Sequence, residues 1–279
     1  MRYLSKLFAL LTVASVLFSL FSCDKEPEME DFGEYESDGE YVVFGRYQQS
    51  LAPYEIEITE ESGGYVFSRG DTFVRGYASQ SYKSSGYQWY KADEDDEDSW
   101  AYFGDETLYF KVEPLRWKII KKEENRMLLW CEDVIDMVPF DASLNGTYED
   151  GNIREWLNGT FKEKAFSSAE REIIMPTKTG VGEGDSVFIL TQEDFERYGI
   201  EDRRKLLSSY ALINYQIIRE RRKYGVSQYS YKNMLGSYWT MTNGGRSVAV
   251  NCEGDFEPYY PNVDKIGIAP AVWIFTANK

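Results

Sequence analysis

The sequence predicts an α+β domain, and three observations carry the prediction. Strand-like apolar runs stand towards both ends of the chain, from Tyr41 to Tyr47 and from Ile268 to Phe275. Helical spacing is confined to the middle, where Ile153, Trp156, Leu157 and Phe161 recur on one face. Aromatic residues are abundant, with 22 Tyr, 16 Phe and 7 Trp, which suits pleated, half-buried surfaces.

Taken in order, residues 1–22 read as a lipoprotein signal peptide. Arg2 and Lys6 make a basic start, Leu7 to Phe21 form an apolar run, and Ser22 precedes Cys23. The run is shorter than the ~20 residues a spanning helix needs. Cys23 is the expected lipidation site. It implies attachment to a membrane through its acyl chains and a place in the bacterial cell envelope, outside the cytoplasm, on either the inner or the outer membrane. The plainer alternative is an ordinary signal peptide or an uncleaved anchor with an incidental cysteine. Residues 23–40 are acidic, poor in aliphatics and interrupted by Pro27 and Gly33, and read as a flexible tether.

The folded domain is expected over 41–279, with a β-rich insertion at about 54–104. Alternation in Tyr54-Glu55-Ile56-Glu57-Ile58 suggests hairpins, and Gly63-Gly64 and Ser84-Ser85-Gly86 mark turns. The acidic run Asp93–Asp98 lacks EF-hand spacing and its glycine, so a solvated loop is the expectation. Strands follow at 108–112, 117–120 and 127–131.

Asn152 is the expected N-cap of the first helix. Ser167 with Glu170 forms a capping box for a second helix that Pro176 stops. Val187 to Leu190 reads as a buried strand. Thr191 and Asp194 then open a helix that ends at Gly199. Residues 202–223 read as a further helix, with Leu206, Leu207, Tyr210 and Ile213 on its apolar face and Arg219, Arg221, Arg222 and Lys223 outside. The last third reads as strands at 238–242, 247–251 and 268–275, the first two joined by Gly244-Gly245. Sequons at Asn145 and Asn158 are read as turns.

Composition narrows the function. The net charge is −16, and without residues 1–22 it becomes −18, from 29 cations against 47 acids. Nucleic acid is an unsuitable partner for such a chain, because phosphate binding draws on Lys and Arg. The chain has no histidine, which excludes Ser-His-Asp and Cys-His catalysis and histidine-based metal sites. Beyond Cys23, two cysteines remain. Cys131 and Cys252 either pair as a disulfide, as export permits, or stand as two buried free thiols.

Several blocks resemble a known family. Phe44-Gly45-Arg46-Tyr47-Gln48-Gln49-Ser50 resembles the "FGRYPQ" opening of the bacterial domain of unknown function 6273 (DUF6273), and Phe110 to Trp117 is similar to its "FKVEPIKW" block. Ile153-Arg154-Glu155-Trp156-Leu157-Asn158, with Phe161, Ala165 and Phe166, resembles its helix "IRxWLNxxFxxxAF". Asp185 to Thr191 is similar to "DKVFLLS", and Ile268 to Trp273 to "VRPALW". The resemblance implies no established activity. Its closing blocks look like the end of a C-type-lectin-like fold, an architecture shared with formylglycine-generating enzymes; this step is analogy and does not fix function.

A lectin-like fold would present its ligand on loops near the last strands. That makes Tyr238, Trp239, Asn243, Arg246, Asn251, Glu253 and Asp255 the candidate binding residues for a glycan or protein ligand. Asn251, Glu253 and Asp255 are also candidate oxygen ligands for calcium; no other metal or cofactor is expected. The resemblance implies two family arginines, whose places are taken here by Met241 and Ala269. Trp117, Trp156, Trp239 and Trp273 are expected in the core. The leading expectation is a non-catalytic binding or display module. Its rivals are a carboxylate-based glycan hydrolase, a thiol-copper oxidase using Cys131 and Cys252 side by side, and a structural envelope component.

Overall fold

Two antiparallel-rich sheets carry the fold. The computed structural model describes residues 36–37, 39–52, 56–76, 90–91, 100–101, 108–144, 147–177, 184–212, 235–242, 247–263 and 266–276. The chain divides into two compact units, Met1–Asp31 and Phe32–Lys279, and every described residue belongs to the second. The signal, Cys23, most of the tether and the acidic run at 93–98 lie outside the described residues.

The main sheet is built on the 16-residue strand Leu108–Glu123. One of its edges takes Tyr41–Leu51. The other takes Asp71–Gly76 at its start and Arg126–Cys131 at its end. Ala271–Phe275 adds to Arg126–Cys131, and Ile174–Met175 and Val187–Phe188 add to Ala271–Phe275. Tyr65–Ser68 and Glu60–Ser62 extend the other end as hairpins, so the described start of the insertion prolongs the main sheet.

Strands 108–112 and 117–120, expected separately, are therefore one. Pro114 does not break them. It pairs opposite Arg46, at the register shift between Val43 and Arg46, so the N–H it lacks falls where the ladder is already interrupted.

The second sheet runs Asp136–Met137, Gly267–Ile268, Tyr238–Thr240, Ser247–Val250, Phe256–Tyr259. Its pair Tyr238–Thr240 with Gly267–Ile268 is parallel. The expected strand 268–275 is in fact two, split at Ala269-Pro270. Gly267–Ile268 belongs to the second sheet and Ala271–Phe275 to the main one. Proline cannot donate to a ladder, but the carbonyl of Pro270 accepts from Cys131 N at 2.8 Å. The closing block is thus the crossing between sheets.

Helices sit in the middle, as expected, with corrected details. The first spans Asn152–Trp156, continues as a π-helix over Leu157–Phe161 and ends as Lys162–Ala165. Its N-cap is Gly151, not Asn152, whose Oδ1 instead accepts from Ala142 N at 2.7 Å. Ile153, Leu157, Phe161 and Ala165 are all buried at intervals of four. In an uninterrupted α-helix those intervals would drift by about 120° in total; the wider π turn holds them on one face.

Both predicted capping boxes form, Ser167 with Glu170 and Thr191 with Asp194. Gly199 stops the second of these helices at φ +65°. The expected helix 202–223 is not continuous. Lys205–Leu206 is a strand paired with Leu235–Gly236, helix begins only at 209–212, and 213–223 lie outside the described residues. Apolar residues at 206 and 207 suit a strand as well as a helix, and tertiary pairing decides.

The N-terminal strand is stitched into this core. Gly45 has φ +70°, and its N donates to Glu170 Oε1 at 2.8 Å. Phe44 packs on Phe166 with ring centroids 5.0 Å apart, and Trp117 Nε1 donates to the Phe44 carbonyl at 2.6 Å. Tyr47 OH donates to the buried Asp136 Oδ2 at 2.7 Å. Trp117, Trp239 and Trp273 are buried as expected, while Trp156 is half-buried.

Candidate functional site

The structure draws part of the predicted ligand set together and disperses the rest. Asn243 and Arg246 lie outside the described residues. Tyr238 and Trp239 alternate across their strand. Both are buried, and Trp239 Nε1 donates to Val138 O at 3.0 Å, which commits it to the core. Asn251 Oδ1 accepts from Glu253 N and Asp255 N, both at 2.9 Å, and its Nδ2 donates to Glu257 Oε1 at 3.1 Å. Its amide therefore builds the 251–255 turn. Among the described residues no group of three or more His, Cys, Asp or Glu could hold a metal ion.

Cys131 and Cys252 do not pair. Cys131 is buried within a central strand, whereas Cys252 is exposed on the turn, and both are free. The expectation of two buried thiols also fails, for Cys252. Burial pushes the Cys131 thiol up to about 12, which keeps it protonated. The two thiols do not form the joint site that a copper oxidase would use.

A cleft of about 340 Å³ forms where 201–204 meets 253–255. Its floor is tied by backbone contacts. Tyr238 OH donates to Arg203 O at 2.6 Å, Arg203 Nε donates to Gly254 O at 2.7 Å, and the Arg203 guanidinium lies 4.7 Å from the Phe256 ring centre. Arg204 grips Asp202 through two hydrogen bonds of 2.9 Å, and this holds the Asp202 carboxyl down at about 2. Both arginines are thus engaged within the chain, while Glu201, Glu253 and Asp255 remain exposed. A second cleft, of about 280 Å³, adjoins through Glu201 and Asp202 and is walled by 118–120 and 198–200.

Immediately behind the first cleft lies a group that sequence reasoning missed. Lys205 is buried, and its ammonium donates to the carbonyls of Cys131 and of Glu132, the latter at 3.0 Å. Its Nζ also stands 3.3 Å from the centre of the Trp130 ring. Two carbonyls and an indole face thus occupy the ammonium without a direct salt bridge. Burial lowers Lys205 to about 7, partly offset by Cys131, Asp133 and Glu132. Burial likewise raises Asp133 to about 6, with Glu132 adding to the rise. A lysine in Arg203-Arg204-Lys205 carries no mark of burial in sequence; the following Leu206-Leu207 is the single hint.

Polar side chains of the helix block bind the 185–191 block directly. Arg154 Nε pairs with the buried Asp185 at 2.8 Å. Asn158, in the π turn rather than a surface turn, makes four contacts: Oδ1 accepts from Ser186 N and Val187 N at 2.8 and 3.1 Å, and Nδ2 donates to Val187 O and Arg154 O at 2.9 and 3.2 Å. The helix block and the "DKVFLLS" block are therefore joined by their own side chains. Asn158→Ala is expected to lower stability by about 3 kcal/mol, read as a fall in the urea midpoint, because it strands backbone groups of the 186–187 segment. A loss below ~0.5 kcal/mol would show that water replaces the amide.

This joining of the blocks agrees with comparison to known families. Residues 124–276 match the family model described as Domain of unknown function (DUF6273). The chain belongs to this family. The DUF6273 match includes the helix block, the 185–191 block and the closing block; the 44–50 and 110–117 blocks precede it. No curated protein and no solved structure matches the chain. Within the DUF6273 region, Met241 and Ala269, where the resemblance implies arginines in relatives, are core positions. Met241 and Ala269 are 4% and 1% exposed, so apolar side chains fill that space and present no cation to a ligand there.

Proposed function

We propose that this DUF6273 protein is a non-catalytic binding module held outside the cytoplasm by a lipid on Cys23, and that the cleft between 201–204 and 253–255 receives a cationic ligand such as a basic peptide segment. The observation that supports this reading is the tie of Arg203 to Tyr238 and to Gly254, which sets two of the predicted ligand residues, Glu253 and Asp255, beside 201–204, with buried Tyr238 beneath them. Exposed acids there, with both arginines engaged internally, favour positive charge. A lectin-like architecture belongs to the same reading, since such folds offer ligand on loops beside their last strands. The lack of histidine, with motif side chains spent on bracing the fold, speaks for binding over catalysis.

Titration calorimetry with an oligolysine peptide tests the cleft. Binding is expected to weaken with salt and to fall about tenfold in Glu253→Gln/Asp255→Asn. Equal binding by the double variant would remove the cleft from the reading, and binding only of a neutral oligosaccharide would replace the ligand class. Palmitate labelling with a Cys23→Ala control tests the anchor; label persisting in the variant would refute it.

A further inference from the structure

We propose that Arg204 is a self-ligand of the first cleft: its guanidinium occupies Asp202 in place of an arginine side chain of the partner, which binds by displacing it. The inference rests on the binding reading above and narrows the ligand to a peptide segment that bears arginine.

The cleft already holds two guanidinium groups of the chain itself, and they are held differently. Arg203 is resident. It is half-buried, its Nε donates to Gly254 O at 2.7 Å, and its guanidinium lies 4.7 Å from the Phe256 ring centre. Its own carbonyl accepts from the hydroxyl of buried Tyr238 at 2.6 Å. Arg204 is exposed, and its Nε and Nη2 donate to Asp202 Oδ1 and Oδ2, each at 2.9 Å. This is the paired fork by which a guanidinium matches a carboxylate; a lysine ammonium is a point charge and makes no such pair. The stem of Arg204 lies against the facing loop, with Cγ 3.4 Å from where a Cβ on Gly254 would stand.

The contact at Asp202 is built to be exchanged. The side chains of Arg204 and Asp202 are 53% and 63% exposed, and an ion pair so placed adds little stability in water. Asp202 does not need the Arg204 side chain to keep its place, because its Oδ1 also accepts from the Arg204 backbone N at 3.2 Å. Asp202 also stands on the wall common to both clefts, beside Glu201, with Glu253 and Asp255 on the facing loop. An incoming arginine exchanges one guanidinium for another at Asp202, and the exposed acids Glu201, Glu253 and Asp255 add the attraction that drives the exchange.

Titration calorimetry of the full chain with tetra-arginine and with tetralysine tests the self-ligand. The two peptides carry equal charge, so a preference for arginine of about threefold or more reads the fork. Arg204→Lys keeps the net charge of the protein but cannot form the paired contact. It should raise the affinity for tetra-arginine by about twofold to fivefold. Arg204→Lys/Asp202→Asn should lose that gain. Both positions are exposed, so the variants should melt with the wild-type chain. An unchanged or lower tetra-arginine affinity in Arg204→Lys overturns the self-ligand, as does equal binding of the two peptides by the wild-type chain. Either result, with binding still weakened by Glu253→Gln/Asp255→Asn, leaves the cleft reading in place. If neither peptide binds the wild-type chain or Arg204→Lys, both readings fall.

Discussion

Gly45→Ala is expected to lose about 3 kcal/mol of stability. Two penalties add. Gly45 sits at φ +70°, where an L side chain costs about 1 kcal/mol or more. A Cβ there would lie 2.6 Å from Phe166 Cε1 and 2.8 Å from Ala165 O. The ring of Phe166 cannot retreat easily, because Phe44, Trp117 and Phe161 surround it. Overpacking of this kind costs about 1–3 kcal/mol. Gly64→Ala isolates the first penalty, since Gly64 has φ +84° and nothing within 4 Å of its would-be Cβ. Urea midpoints of the two variants should differ by about 2 kcal/mol after conversion. Equal losses would show that the Gly45–Phe166 contact relaxes freely and that the "FGRY" glycine is kept for its φ alone.

A fragment cut to the family match, residues 124–276, is expected not to fold cooperatively. The cut removes Tyr41–Leu51 and the whole of Leu108–Glu123. Strand Arg126–Cys131 then loses one of its two neighbours, and Trp117, Phe44, Tyr47 and Leu115 leave the core. Two buried carboxylates lose hydrogen-bond donors as well: Asp136 loses the Tyr47 hydroxyl and Glu170 loses Gly45 N. Each stranded acceptor costs about 1–3 kcal/mol, which is a large share of the ~5–15 kcal/mol that stabilises an ordinary domain. Near-ultraviolet circular dichroism and thermal melts of the fragment, compared with residues 41–279, decide the matter. A sharp fragment melt with retained aromatic signal would mean that the folding unit begins at 124.

Much of this architecture was readable in the chain, and the unreadable parts share a cause. Local hydrogen-bond chemistry is visible in sequence, so the capping boxes at Ser167/Glu170 and Thr191/Asp194, and the stop at Gly199, appear where expected. Features that depend on a distant partner are not visible. Pro114 reads as a break until the bulge opposite it is known. Ile268 to Phe275 reads as one strand until two sheets claim its halves. Residues 202–212 carry helical spacing, yet Leu235–Gly236 captures the Lys205–Leu206 segment. The candidate site divides the same way. Asn251, Glu253 and Asp255 stand out in sequence only through the lectin-like resemblance, as loop residues near the last strands, and their local chemistry shows as the Asn251 turn. Lys205, Asp133 and Arg203 were missed, because burial of a charged side chain is a property of its surroundings and leaves no local signature.

The π turn at Leu157–Phe161 has a mechanical consequence for how this chain can change length. A helix is a gear, and each residue advances it by about 100°. The extra residue in the π turn sets the phase between the two halves of the gear, with Ile153 engaged at one end and Ala165-Phe166 meshing against Gly45 at the other. Winding the same residues as a regular α-helix would swing that far end by about 120°, away from the strand it meshes with, whereas deleting one residue between 157 and 161 would restore a regular α-helix and keep the phase to within about 20°. Helical regularity and chain length are thus tied together here, and the segment tolerates the loss of one residue better than the straightening of its π turn.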